Sequence, residues 1–360
     1  MTNKIKALIV DDSAFMRKSI SIMLGADKDI EIIGTAKDGL EGLELAKRLK
    51  PDIITLDIEM PRMDGLTALE RIMKECPTSV IMVSSLTTEG ADATLKALEL
   101  GAVDFIPKEM SYVSVNIATI KEELIKKVKT IVREKSFKSR ISRLRTISTK
   151  ISPGQETTLK PVSKKLNLPR NNYSAIGLGI STGGPLSLQK VIPVLKNNLT
   201  IPMFIVQHMP PKFTKSLADR LNTMSSISVK EAEHGEEVKP GLVYIAPGGF
   251  HMTFVKNTFG KITIRISEEP SDTLHRPAVD IMLSSLIDIY GKNTLGIIMT
   301  GMGHDGLEGI KKLKSLGGYA LAQDADTSVV YGMPKAIVDA SLADVIAPLE
   351  KIAEIINLAV

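Results

Sequence analysis

Apolar stretches of strand length alternate with amphipathic segments along the first 130 or so residues. The stretches are rich in β-branched residues, and the apolar positions between them recur at helical spacing. Fully apolar strands joined by crossover-length helices predict a parallel sheet covered on both faces, and hence a doubly wound, flavodoxin-like α/β domain. The predicted strands are Lys6–Val10, Ile30–Ala36, Ile53–Leu56, Val80–Val83 and Val103–Ile106, and the predicted helices are Ala14–Leu24, Leu40–Leu49, Leu66–Lys74 and Asp92–Leu100.

The same alternation returns at Tyr173, but here the predicted strands end in glycine-rich or polar loops. A hairpin is predicted where His251–Val255 faces Lys261–Ile266. This pattern predicts a second doubly wound domain, Rossmann-like, with a hairpin insertion. Its predicted strands are Ala175–Ile180, Met203–Gln207, Val243–Ala246, Leu295–Met299 and Ala320–Gln323, and its predicted helices are Leu186–Leu195, Thr214–Leu221, Ala278–Tyr290, Leu307–Leu316 and Leu349–Leu358.

A segment without hydrophobic periodicity separates the two halves. Residues 133–172 contain eleven basic residues against two acidic ones, so this segment carries +9 of a net charge of +5 and the rest of the chain carries −4. The positive charge therefore marks a solvated tether and does not indicate a nucleic-acid-binding face. We predict an N-terminal domain over residues 1–130, a basic linker over 131–172 and a C-terminal domain over 173–360.

Two further features limit the class of protein. The longest apolar stretches stop well short of the roughly 18 to 20 residues that span a bilayer, which predicts no direct membrane insertion. The single cysteine, Cys76, permits no intrachain disulfide and no CxxC motif, and the start MTNKIKALIV does not fit a signal peptide. We expect a cytoplasmic protein.

Polar residues follow four predicted strands of the N-terminal half. Asp11 and Asp12 follow the first, Asp57 ends the third, Ser84 ends the fourth and Lys108 follows the fifth. Clustered carboxylates repel one another unless a hard divalent cation such as Mg²⁺ neutralises them. The set predicts a phosphoryl site in which Asp57 is the nucleophile and Mg²⁺ bridges it to the phosphoryl group. Lys108 would offset the charge of the acyl phosphate, and Ser84 would hydrogen-bond a phosphate oxygen.

Taken singly, an Asp-Asp pair is most often a turn or a helix cap, but these residues fit together at successive strand ends. Over its full length this half resembles a response-regulator receiver domain. The resemblance implies that Mg²⁺ binds Asp12, Asp57 and the carbonyl of Glu59, that Asp11 acts through a water molecule, and that Phe105 is an aromatic switch residue.

In the C-terminal half, GISTGG at residues 179–184 follows one predicted strand and precedes a helix. It matches G-x-S-x-G, in which a tight turn exposes a nucleophilic serine, here Ser181. The same letters also fit a phosphate-cradling loop or a flexible turn. Of the five histidines, His208 directly follows the next predicted strand and is the preferred base. His234 is predicted to be solvated, His251 opens a hairpin strand, and His275 is predicted to be structural or substrate-facing. His304 is the main rival to His208 as the base.

A third glycine-rich loop, MTGMGHDG at residues 299–306, also follows a predicted strand. Its backbone N–H groups are suited to an oxyanion, and Asp305 is suited to orient an imidazole, although Asp-Gly is also a common turn. The order Ser181, His208, Asp305 disfavours the α/β-hydrolase fold, in which the acid precedes the histidine.

Six motifs across residues 173–345 resemble the catalytic domain of chemotaxis protein-glutamate methylesterases: GISTGG, QHMPPKFT, VYIAPGGFH, HRPAVD, TGMGHDG and SVVYGMP. The resemblance implies Ser181 as nucleophile, His208 as general base and acid, and Asp305 as its orienter. It assigns the oxyanion to the backbone N–H of Met302, with that of His208 as a second donor, and gives Thr182 a supporting role near the imidazole or substrate. His304 stands where a small residue is common in that family.

The two resemblances together imply a phosphorylation-activated esterase whose N-terminal domain blocks the cleft until Asp57 is modified. The implied substrates are γ-glutamyl methyl esters and specific glutamines of methyl-accepting chemoreceptors, the phosphodonor is a chemotaxis sensor histidine kinase, and the esterase chemistry needs no cofactor. One alternative is a DNA-binding or scaffolding output protein, which requires a basic structured face. A second alternative is a serine esterase for small metabolites. The basic linker is a hypothetical docking segment for an acidic receptor surface.

Overall fold

The structure, a computed structural model, describes residues 4–108, 121–134, 168–169 and 173–360. Most of the linker predicted for 131–172 therefore lies outside the described residues. Helical structure continues through residue 134, past the predicted domain boundary at 130. None of the helices in these ranges has the length and apolar composition needed to cross a membrane.

The N-terminal domain contains a five-stranded parallel sheet in the order β2-β1-β3-β4-β5. Strands β3 and β4 are buried along their whole length, as strands covered by helices on both faces must be. This confirms the predicted doubly wound fold. The elements are β1 (Ile5–Val10), α1 (Ala14–Gly25), β2 (Ile30–Ala36), α2 (Gly39–Leu49), β3 (Ile53–Asp57), α3 (Gly65–Glu75), β4 (Ser79–Ser84), α4 (Thr88–Glu99), β5 (Asp104–Pro107) and α5 (residues 121–134).

Side-chain caps fix where the helices of this domain begin. Ser13, Asp38, Asp64 and Thr87 each accept a hydrogen bond from a backbone N–H of the first turn of α1, α2, α3 and α4. Such caps satisfy N–H groups that have no partner inside the helix. The caps at Ser13 and Asp64 therefore fix the length of the loops that follow β1 and β3. The carboxylates of these loops lie at the carboxyl edge of the sheet.

The C-terminal domain contains a seven-stranded parallel sheet in the order β14-β13-β12-β6-β7-β9-β8, together with an antiparallel hairpin of β10 and β11. Its elements are β6 (Ala175–Ile180), α6 (Gly184–Val191), β7 (Met203–Gln207), α7 (Phe213–Met224), β8 (Ser228–Glu231), β9 (Leu242–Ile245), β10 (His251–Lys256), β11 (Ile262–Ser267), α8 (Val279–Tyr290), β12 (Thr294–Ile298), α9 (Leu307–Ser315), β13 (Tyr319–Gln323), α10 (Met333–Asp339), β14 (Val345–Ala347) and α11 (Leu349–Ala359). The fold and the hairpin match the prediction. The sequence pattern missed β8, α10 and β14, which are short; the two strands lie at the edges of the sheet.

The two domains pack against each other through α4, β5 and α5 on one side and the carboxyl edge of the larger sheet on the other. Phe105 of β5 stacks on Phe213 at the start of α7, with ring centroids 4.8 Å apart and planes 3° from parallel. Glu99 at the end of α4 forms an ion pair with Arg220 of α7. The N-terminal domain thus lies over the edge at which the predicted serine, histidine and aspartate collect.

Candidate active site

Strand order brings the three glycine-rich or polar loops of the C-terminal domain together. Strand β6 lies between β7 and β12, and the strands that follow it in the chain are added first on one side of it and later on the other. Such a reversal of strand order leaves a crevice at the carboxyl ends of these strands. Ile180 of β6 pairs with Gln207 of β7, which makes Ser181 and His208 the next residues along two neighbouring strands. Asp305 comes from the loop after β12.

Backbone contacts hold Ser181 at the turn between β6 and α6. Its N–H donates to the Thr300 carbonyl (2.9 Å), and its carbonyl accepts from the Gln207 side chain (3.1 Å). Gly183, two residues on, has φ 77°, a left-handed conformation that a residue with a side chain rarely adopts. A Cβ atom at Gly301 would lie only 2.8 Å from the Ser181 Cβ, so glycine lets the two loops approach. The serine is half-buried at this crossing of loops.

His208 and Asp305 form a directly hydrogen-bonded pair. His208 Nε2 lies 2.8 Å from Asp305 Oδ2. The same carboxylate accepts the backbone N–H groups of Val279 (2.8 Å) and Asp280 (2.9 Å) at the N-terminus of α8. Burial alone would raise the Asp305 pKa, but the His208 hydrogen bond and these two donors outweigh it and lower the pKa to about 2. Asp305 is therefore a fixed anion at neutral pH, and it keeps a proton on Nε2 of the imidazole.

The second ring nitrogen of His208 is free to act as an acceptor. Nδ1 is buried and has no hydrogen-bond partner among the described residues. When Nε2 donates to Asp305, Nδ1 of a neutral imidazole carries the lone pair. A nitrogen held in this way, beside a serine on the neighbouring strand, has the properties of a general base.

The structure separates His208 from the rival histidines. His304 is exposed, and it is His208 that bonds the neighbouring Asp305. His234 is exposed and bonds the backbone of Ile266. His251 is buried, and its two ring nitrogens contact backbone and side-chain groups of the loop before α8. His275 belongs to the site in another way, since its ring stacks on that of His208 with centroids 4.2 Å apart.

The expected oxyanion donors have different surroundings. The N–H of His208 already donates to the Ile180 carbonyl (3.2 Å), which leaves Met302 as the donor that fits the expectation. Met302 is half-buried in the loop after β12, and its sulfur lies 3.5 Å from the Thr130 hydroxyl of α5. The N-terminal domain therefore contacts the residue expected to bind the oxyanion.

Thr182, which is expected to support the imidazole or the substrate, contacts the N-terminal domain. Its hydroxyl donates to Asp104 Oδ2 of the N-terminal domain (2.9 Å), and both residues are buried. The hydroxyl proton is used across the interface while its oxygen can still accept a hydrogen bond, so the supporting role of Thr182 near the imidazole or substrate stays a prediction. Asp104 also pairs with Lys127 of α5 (3.1 Å), so a charged carboxylate of the N-terminal domain contacts the residue next to Ser181.

The predicted phosphoryl site assembles at the carboxyl edge of the smaller sheet. One oxygen from each of Asp11, Asp12 and Asp57 lies within 4.8 Å of the others, and Lys108 Nζ lies 2.7 Å from Asp57 Oδ1. Burial raises the Asp57 pKa to about 6, although Lys108 acts against this shift. The Oδ2 atoms of Asp11 and Asp57 are buried without a hydrogen-bond partner among the described residues. Unpartnered carboxylate oxygens in a cluster of this size fit a hard divalent cation.

The other residues expected at this site surround the carboxylates. The Glu59 N–H donates to Asp57 Oδ1 (3.3 Å). The Ser84 hydroxyl donates to the Gly90 carbonyl (3.0 Å), so it would have to leave this partner to bind a phosphoryl oxygen. Phe105, the expected switch residue, is buried in the interdomain stack on Phe213.

Sequence reasoning missed two residues of this region. Gln207 directly precedes His208, and its amide donates to the carbonyls of both Ser181 (3.1 Å) and His208 (3.2 Å), which ties the two loops together. Its position at the end of a buried strand was a usable signal. No signal in the sequence indicated that Asp104 contacts Thr182, because that contact exists only once the domains are packed.

Comparisons with known proteins agree with both halves. The model of the CheB methylesterase family matches residues 176–356, and that of the response regulator receiver domain matches residues 7–118. A protein-glutamate methylesterase/protein-glutamine glutaminase 1 of Oleidesulfovibrio alaskensis is 48% identical, with 99% of each chain covered. Its counterpart in Thermotoga maritima is 46% identical, with 98% of each covered. The crystal structure of the Thermotoga maritima CheB methylesterase catalytic domain is 46% identical, with a TM-score of 0.51, covering 52% of this chain and 99% of that one.

Proposed function

The chain belongs to the family of receiver-linked protein-glutamate methylesterases/protein-glutamine glutaminases, and we propose that Ser181, His208 and Asp305 carry out its hydrolytic chemistry. The observation that carries the assignment is the 2.8 Å His208–Asp305 pair at the sheet edge that also holds Ser181. The alternative of a DNA-binding or scaffolding output is not supported, since the C-terminal domain matches the methylesterase family.

The reaction begins when Ser181 Oγ attacks the side-chain acyl carbon of the substrate. His208 Nδ1 takes the hydroxyl proton, and the imidazolium that forms is stabilised by Asp305 at Nε2. The carbonyl oxygen becomes an oxyanion that accepts from the Met302 N–H. When the tetrahedral intermediate collapses, the acyl bond to the leaving group breaks, and His208 gives its proton to that group.

The leaving group decides which of the two activities is seen. From a γ-glutamyl methyl ester the protonated leaving group is methanol, and from a glutamine it is ammonia. Water then attacks the acyl-enzyme while His208 takes a proton from it, and as the acyl–Oγ bond breaks His208 returns that proton to Ser181 Oγ. Both routes end in a glutamate side chain and free Ser181. The substrates are the methyl-accepting chemoreceptors, whose demethylation gives adaptation in chemotaxis.

Phosphorylation of Asp57 by a chemotaxis sensor histidine kinase is the proposed switch. Asp11, Asp12 and Asp57, with the Glu59 carbonyl, would hold Mg²⁺, which when bound neutralises the crowded carboxylates and the incoming phosphoryl group. Lys108 pairs with Asp57 and offsets the charge of the acyl phosphate. The Asp104–Thr182 and Phe105–Phe213 contacts support a closed form in which the receiver covers the esterase site.

The serine assignment is tested with Ser181→Ala. We expect the variant to release no methanol from radiolabelled methylated receptor membranes while Asp57 is still phosphorylated by a small-molecule phosphodonor. Ser187→Ala is the matched control, because Ser187 is a buried serine of α6 that bonds the Gly183 carbonyl (2.8 Å) and has no role in the reaction. Methanol release by Ser181→Ala at the control rate would refute the assignment.

A further inference from the structure

A second histidine covers one face of the proposed base. The rings of His275 and His208 stack with centroids 4.2 Å apart and planes 23° from parallel. His275 is half-buried and lies in the loop before α8, three residues ahead of Ala278. The reaction scheme gives this residue no role, yet no other ring stacks on the His208 imidazole in the described part of the chain.

The base itself is held by few directional contacts. Its ring forms one hydrogen bond with the described residues, from Nε2 to Asp305, and its Nδ1 has no partner among them. One hydrogen bond leaves an imidazole free to tilt about the line that joins the two bonded atoms. The tilt sets the direction in which Nδ1 points, and a general base must meet the serine proton at hydrogen-bond distance.

We propose that His275 is a positioning residue: its ring, stacked on that of His208, holds the base in the plane in which Nδ1 accepts the Ser181 proton. This inference rests on the proposed function, in which His208 is that base. His275 is given no proton to transfer and no contact with the substrate; it acts through His208 alone.

The loop that carries His275 is anchored firmly enough for this role. The buried His251 bonds Thr273 Oγ1 (3.1 Å) through Nε2 and accepts the Ala278 N–H (3.2 Å) at Nδ1. The Thr273 hydroxyl in turn donates to the His275 carbonyl (3.1 Å). The Arg276 carbonyl accepts the Gly249 N–H (3.1 Å). The backbone of His275 is therefore fixed on both sides, which limits where its ring can lie.

The charges around His275 favour a neutral ring. It faces His208 and Asp305 in the catalytic domain and Lys126 and Lys127 of α5 in the receiver, while Asp280 and His304 line the adjoining cavity. Burial lowers the His275 pKa first, and His208 and the two lysines add to the effect, so that the pKa falls to about 4 although Asp305 acts against it. A neutral partner is what the mechanism needs, because a second cation would oppose formation of the His208 imidazolium.

The test compares His275→Ala with His275→Phe in the full chain, activated by a phosphodonor so that the receiver does not mask the site. We expect kcat for methanol release to fall about 10- to 100-fold in His275→Ala with little change in KM, because a displaced base slows the chemical step. His275→Phe restores a flat neutral ring without nitrogens and should return kcat to within about threefold of the parent value. The same changes at the exposed His234 are matched controls.

The pH profile gives a readout that a merely structural role would not move. His275→Lys places an amine beside His208, and its positive charge should shift the acidic limb of kcat/KM to lower pH. In the parent protein, NMR of histidine-labelled chain should show His275 neutral from pH 5 to 8 and His208 ring protons shifted by the neighbouring ring. If His275→Ala does not fold, this measurement still tests the stack on which the inference depends.

Each outcome supports or overturns the inference. A loss of kcat in His275→Ala that His275→Phe reverses supports it. The inference is overturned by an unchanged kcat in His275→Ala or by the absence of the ring shift in the parent. It is also overturned by an equal loss of kcat in both variants, which would point to a ring nitrogen that contacts the substrate. Ser181→Ala run in parallel separates this from failure of the proposed function, because activity in that variant would overturn the serine mechanism itself.

Discussion

The buried contact between Asp104 and Thr182 predicts that one receiver side chain sets the basal rate of the esterase. Thr182 Oγ1 donates to Asp104 Oδ2 at 2.9 Å, next in sequence to the proposed nucleophile. The change Asp104→Ala removes the acceptor while Lys127 keeps its contacts with Glu123 (3.4 Å) and the Phe105 carbonyl (2.9 Å). The Asp104–Lys127 ion pair (3.1 Å) lies within the receiver and is lost in both arrangements, whereas the hydrogen bond to Thr182 is lost from the closed arrangement alone.

The size of the effect follows from the charge and burial of the acceptor. A hydrogen bond to a charged group contributes about 1.5–3 kcal/mol, and each 1.4 kcal/mol changes an equilibrium tenfold. If the closed form dominates, the open population, and with it the basal rate, should rise by about 10- to 150-fold, up to the rate of the fully activated enzyme. Asp104→Asn keeps a carbonyl acceptor without the charge and should give a smaller rise.

The assay is methanol release from methylated receptor membranes, measured with and without phosphodonor. Activation by phosphodonor should shrink by the factor through which the basal rate rises, since the open form is already populated. Asp38→Ala is the control, because Asp38 is a buried aspartate that caps α2 within the receiver. A folded Asp104→Ala protein with the parent basal rate and the parent activation ratio would refute the reasoning.

Two further predictions concern stability and pH. Asp305 has a pKa lowered to about 2, so its charge contributes stability that is present above about pH 4 and is lost as the pH falls toward 2. Asp305→Asn should therefore lower the free energy of unfolding at pH 7 by about 2 kcal/mol. A difference between the urea melts of variant and parent that persists at pH 2 would contradict this. Asp57 has the opposite shift, with a pKa raised to about 6 by burial, so without Mg²⁺ the parent protein should lose up to about 3 kcal/mol of stability as the pH rises from 4 to 6. Thermal melts should show Asp57→Asn without this loss and with less stabilisation by added Mg²⁺, and parallel curves for the two proteins would count against the acidic cluster.

The sequence was informative where chemistry follows directly from strand order. The carboxyl ends of parallel strands meet at one edge, so the pattern of strands places Asp57 beside Asp11 and Ser181 beside His208. Asp305 needed more than its motif, since Asp-Gly is a common turn. Its assignment depends on the N-terminus of α8, whose Val279 and Asp280 N–H groups fix the carboxylate, and that helix begins 26 positions earlier in the chain than Asp305.

What the sequence did not predict depends on packing between elements distant in the chain. The stack of His275 on His208 brings together residues of two loops with no shared periodicity. The edge strands β8 and β14 lack the long apolar run that identifies a central strand, since one of them is only three residues long and the first residue of the other is exposed. The interdomain contacts of Asp104 and Phe105 join residues of different domains, so no periodicity within either domain indicates them.

The short strand β5 connects the two sites physically. Lys108, which directly follows β5, pairs with Asp57 at 2.7 Å, while Asp104, at the start of the same strand, holds Thr182 at 2.9 Å. Phe105, between them, stacks on Phe213 of the catalytic domain. A phosphoryl group on Asp57 changes the charge that Lys108 neutralises, and the four residues of β5, which pair with β4, join Lys108 to Asp104 along one strand. We therefore expect the receiver to act on the esterase at the residue beside the nucleophile, through release of Thr182, as well as by covering the cleft.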